Sequence, residues 1–90
     1  MISDAEKIGF EKRQQQIYQV IGAVDGWSGT LSGDVVELYQ YQDSASVDPS
    51  IFDSAIQPGN ISGWIDRCQV ANLLMLSKGR DACRHLNTLI

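Results

Sequence analysis

From Val70 to Leu76 the chain reads Val-Ala-Asn-Leu-Leu-Met-Leu, and only Asn72 in that stretch is polar. A run this apolar offers no face to water, so it has to be enclosed on most sides. The rest of a small chain must be arranged around it. The run is expected to be the second half of a helix from about Asp66 to Met75. Ser77-Lys78-Gly79 interrupts, and a last helix is expected from about Arg80 to Ile90. There Ala82, Leu86 and Leu89 recur at i, i+4 and i+7, while Arg80, Arg84 and Asn87 repeat the same spacing on the opposite side. The expected core of this pair is Val70, Ala71, Leu74, Leu86 and Leu89.

Upstream, Ser3-Asp4-Ala5-Glu6 has the form of a capping box, so a helix is expected over about 4–22. Ile17, Val20, Ile21 and Val24 form its apolar face, extended by Phe10. The glycine-rich stretch from Gly22 to Gly33 lacks the spacing of a phosphate-binding loop and is read as a connection, with Trp27 packing on the core. Residues 34–42 are ambiguous. Val35, Val36, Tyr39 and Tyr41 favour a strand, whereas Asp34-x-x-Glu37 suits a helix start, and the helical surroundings tip the reading to helix. Asp48-Pro49 opens a short helix to about Ile56, and Gln57-Pro58-Gly59-Asn60 stops it. The expected fold class is therefore mainly α: one domain over 1–90, a small helical bundle closed by the helix pair at about 66–90, with a minor β element at most.

Ninety residues make a limited core, so a homodimer is an expected source of further burial. No apolar run approaches the roughly 20 residues needed to cross a bilayer, and the first residues are charged where a signal peptide is apolar. No membrane partner is expected; the expected location is the cytoplasm, with Cys68 and Cys83 as reduced thiols. One His and two Cys, without a close Cys-x-x-Cys, are poor material for metal or catalysis. No metal, cofactor or catalytic residue is assigned, and the chain is not read as an enzyme. Cys83 beside Arg80 and Arg84 suggests a nucleophile as a third reading, but a small core residue explains it as well.

Charge is unevenly spread. Residues 1–60 carry three cations against nine carboxylates, a balance of −6, and residues 61–90 carry four against two, a balance of +2. A cationic end on an acidic body points to a polyanion. In that end, Gln69-Val70-Ala71, then Leu74 and Leu76, then Ser77, then Arg84-His85-Leu86-Asn87 resembles the helix-turn-helix of winged-helix and phage or plasmid regulators. Met75 stands where that family usually has Gly, and Lys78–Asp81 is one residue longer than its commonest spacing. The resemblance implies a double-stranded DNA partner. Ser77 would cap the recognition helix and meet a phosphate, Lys78 and Arg80 would add backbone charge or, for Arg80, a base contact, and Arg84 and Asn87 would read guanine and adenine edges. The expected function is a small DNA-binding transcriptional regulator. The rival, from a different class, is a small acidic protein-interaction module or inhibitor that uses the first 60 residues.

Overall fold

A computed structural model describes residues 2–56 and 63–89. It corrects the expected fold class: the chain is mainly β, built on one five-stranded antiparallel sheet. The strands are β1 (Glu11–Gln15), β2 (Asp25–Leu31), β3 (Asp34–Gln40), β4 (Asp66–Val70) and β5 (Leu73–Ser77), in the order β1-β2-β3-β5-β4. Two six-residue helices, α1 (Ile2–Lys7) and α2 (Asp81–Leu86), lie on one face of the sheet. Short 3-10 turns at Gln19–Ile21, Ser44–Ser46 and Pro49–Ala55 belong to the segments over the other face. The stop expected at Gln57–Asn60 and the chain at Ile61 and Ser62 lie outside the described residues.

The expected helix at 66–75 is a β-hairpin. Ala71, exposed and at φ +53°, makes its turn with Asn72 between the paired Val70 and Leu73. The one polar residue of the apolar run is thus a turn residue: Asn72 Nδ2 donates to the Tyr41 carbonyl at 2.8 Å, and Tyr41 N–H donates back to the Asn72 carbonyl at 2.8 Å. No helix-turn-helix exists here, since its first helix is two strands. The run is apolar because all five residues of β5 are buried, Leu73 and Met75 on the helical face and Leu74 and Leu76 on the other. A central strand covered on both sides needs no alternation.

Residues 34–42 resolve to β3, and β2–β3 is a hairpin turned by Ser32 and Gly33, both at positive φ. That is the type I′ geometry, whose twist matches the flanking strands. Val36 and Leu38 enter the helical core, while Val35, Glu37 and Tyr39 point to the opposite face. The helix expected over 4–22 ends at Lys7, and Gly9 at φ +105° turns the chain into β1. Every residue of β1 is exposed, so this edge strand is held chiefly by backbone pairing to β2, with a register shift between Lys12 and Gln14; Lys12 adds an ion pair to Glu6 at 3.3 Å and lies 4.8 Å from the Trp27 ring centroid. The short helix expected at 49–56 is present as a 3-10 helix over Pro49–Ala55, with Asp48 accepting from Ser50 N–H. The last helix begins where expected, with Ala82 and Leu86 fully buried and Leu89 partly buried against the same cluster.

The main core joins Ile2, Ala5, Phe10, Leu31, Val36, Leu38, the hairpin residues and α2, with Trp27 packed at its side. Three ties fix α2. Asp34 Oδ2 accepts the N–H groups of Asp81 and Ala82 at 3.0 and 2.9 Å, a helix cap supplied from β3. A side chain on Gly79 would collide with that carboxylate. His85 Nε2 lies 2.7 Å from the Ile8 carbonyl; a carbonyl only accepts, so Nε2 carries the proton. The third tie corrects the expectation of two thiols. Strand β4 turns Cys68 toward the helical face, where it forms a disulfide with Cys83, Cα to Cα 5.8 Å.

Two stability predictions follow from these ties. The disulfide closes a separation of 15 residues, for which loop entropy gives about 3 kcal/mol. Denaturant unfolding with and without reductant should differ by about that amount, and thiol titration of the unreduced, unfolded protein should find none free. Equal midpoints in the two conditions would refute this account. Asp34→Ala should cost about 0.5–2 kcal/mol in the same assay, through loss of the cap.

Candidate interaction face

The residues expected to contact DNA lie at one end of the molecule, with different roles. Ser77 is fully buried; its hydroxyl donates to the Gly79 carbonyl at 2.6 Å and accepts the Gly79 N–H at 3.0 Å, so it presents nothing to a phosphate. The Asp34 carboxylate already occupies the first amides of α2. Lys78 is exposed, with its ammonium 5.2 Å from the Trp64 ring centroid. Arg84 is exposed and pairs with Asp81 at 3.5 Å. Arg80 and Asn87 are exposed on either side of α2. Arg80, Arg84 and Asn87 are thus exposed at the start, middle and end of α2, whereas Ser77 is not at the surface.

A more built surface lies on the sheet face away from the helices. Its inner half is a second core of Ala23, Tyr39, Tyr41 and Leu74, packed by Tyr18, Ile21, Val47 and Phe52. Gly26 permits this: a Cβ there would meet the Tyr39 ring at 2.6 Å and Tyr18 Cβ at 3.1 Å. Tyr39 and Phe52 stack with centroids 5.7 Å apart. The loop 16–24 is anchored through Gln16 N–H to the Gly26 carbonyl (2.9 Å), Val24 N–H to the Gln40 carbonyl (2.8 Å) and Tyr41 Oη–H to the Ile21 carbonyl (3.2 Å). The apolar spacing read as one helical face is split by this anchoring. Ile21 packs inward, whereas Ile17 and Val20 remain 75% and 82% exposed and Val24 is exposed beside them.

The outer half of the face is the more open one, with Glu11, Gln14 and Val35 exposed and Ser28, Thr30 and Glu37 half-buried. Strand register places Glu11, Gln14, Ser28, Thr30, Val35 and Glu37 on it, with Val35 exposed. Tyr39 Oη–H donates to Glu37 Oε1 at 2.6 Å, which fixes the carboxylate at the boundary between the open and covered halves. Burial, then that bond and the Glu37 charge, push the Tyr39 hydroxyl well above its ordinary range, so it remains a donor. Toward the β4 edge, Arg67 pairs with Asp53 at 2.6 Å and ties β4 to the 3-10 segment. Sequence spacing could not reveal this face, because its residues come from three strands and a loop whose register was unknown.

Among the described residues no three metal-ligating side chains stand together, and no helix is long and apolar enough to cross a membrane. Comparison with family models, curated proteins and solved structures finds no match for the chain.

The phenol gives a pH prediction. Tyr39 holds its proton more tightly folded than unfolded, so the unfolded chain releases that proton first as pH rises. Stability from this group is complete below the unfolded value of about 10 and declines above it. Unfolding free energy should fall more steeply above that pH in wild type than in Tyr39→Phe. Parallel profiles would show that the hydroxyl is not protected as described.

Proposed function

We propose that the protein is a small protein-interaction module, which binds another protein through the sheet face away from the helices and the loop at 16–24. The observation that carries this reading is the exposure of Ile17 and Val20 on a loop that backbone hydrogen bonds and Tyr18 hold in place. Apolar side chains presented on an anchored loop lose little entropy on binding and gain by covering. A half-face on which Val35 is exposed adjoins the same second core. Without a helix-turn-helix, and with Ser77 buried and Arg84 beside an acid, no geometric feature among the described residues favours duplex DNA over a protein. The disulfide suits an oxidising setting, and the cytoplasmic expectation suits the reduced pair.

The test compares wild type, the double variant Ile17→Asp/Val20→Asp, and Arg84→Ala as baits in quantitative affinity capture from source cells. Both Asp substitutions sit at exposed positions and should leave the melting temperature nearly unchanged. A partner retained by wild type and Arg84→Ala but lost by the double variant supports the reading. Capture that is unaffected by the double variant, together with salt-sensitive duplex binding lost in Arg84→Ala, overturns it.

A further inference from the structure

From Gln14 to Ile56 the chain has no Lys or Arg and six carboxylates. Most are committed to local bonds. Asp34 caps α2, Asp53 pairs with Arg67, and Asp43 and Asp48 hold Ser46 and Ser50. Glu37 differs: it stands on the open half-face, and Tyr39 engages only its Oε1. Along β3 the outward positions alternate apolar and acidic, Val35 then Glu37, before the covered Tyr39. Exposed Ile17 and Val20 belong to the loop that packs beside Tyr39 and Tyr41. The face thus offers exposed apolar side chains at Val35 and on the covering loop, and a fixed carboxylate at Glu37.

Resting on the protein-interaction reading, we propose that the occupant of this face is an extended, cationic segment of the partner protein. A Lys or Arg of that segment meets the Glu37 carboxylate, and apolar residues on either side cover Val35 and the loop at Ile17 and Val20. The chain's net charge of −4 attracts such a segment at long range, and Glu37 gives it a register. Acidic or phosphorylated segments are repelled by the same charges.

The experiment titrates full-length protein calorimetrically with three synthetic extended peptides, alternating Val with Lys, with Gln or with Glu. The Lys peptide should bind about tenfold or more tighter than the Gln peptide, less tightly as salt rises through about 0.15 M, and the Glu peptide should not bind. Glu37→Gln keeps an acceptor for Tyr39 and should weaken the Lys peptide by about tenfold. Glu6→Gln removes the same charge from α1, where Glu6 pairs with Lys12 at 3.3 Å, and should change little. Equal weakening by both variants indicates undirected charge attraction and overturns the inference, as does failure of the Lys peptide to bind. If Lys and Gln peptides bind alike and both are lost in Ile17→Asp/Val20→Asp, the cationic inference fails while the interaction reading stands. If none binds and native partner capture survives the double variant, both fail.

Discussion

The pairing of β3 with β5 holds the rest of the structure in place. It runs from Val36 opposite Ser77 to Gln40 opposite Leu73, joining residues far apart in the chain. Each strand brings a hairpin partner, β2 for β3 and β4 for β5, so this ladder unites two locally formed hairpins into one sheet. It places Leu38 beside Met75 in the helical core and Tyr39 beside Leu74 in the second core. Each face of the same strand pair thus seeds a separate apolar cluster, and the covering segments follow from where those clusters lie.

On the helical face, two short helices suffice because neither stands alone. A six-residue helix is far below the length that is stable in water. The Asp34 cap, the Cys68–Cys83 bond and the His85 contact to Ile8 make α2 part of the sheet's own bonding. These ties consume the groups that a phosphate-binding helix would need free. On the other face the covering is partial. Loop 16–24 and the 3-10 segment at 49–55 help bury Tyr39, Tyr41 and Leu74, and leave Val35 exposed and Glu37 half-buried. The proposed binding surface is therefore a consequence of uneven layering: a sheet apolar on both faces in its middle, whose second face the described residues cover only in part.

Several local features were legible in the residues. The break at Gly79, the final helix with Ala82 and Leu86 inward, and the Asp48-Pro49 start all stand where the sequence placed them. Other features were hidden. Glu11–Gln15 has no apolar alternation, since an exposed edge strand takes its stability from backbone bonds to β2. Ile17, Val20, Ile21 and Val24 imitate a helical stripe, yet only Ile21 joins the second core among them.

What the sequence determined by itself was mostly punctuation and burial: a run that must be enclosed, caps, turns and a charge imbalance. The tertiary structure decided whether Val70–Leu76 is helix or hairpin. A short run apolar throughout has no period, so local physics is nearly neutral between the two. The choice went to β because Leu73–Ser77 finds a backbone ladder on either side, β3 and β4, and apolar cover on both faces. The same long-range pairing turned Cys68 toward Cys83 and buried Ser77. Those outcomes depend on register between distant strands, which only the assembled sheet fixes.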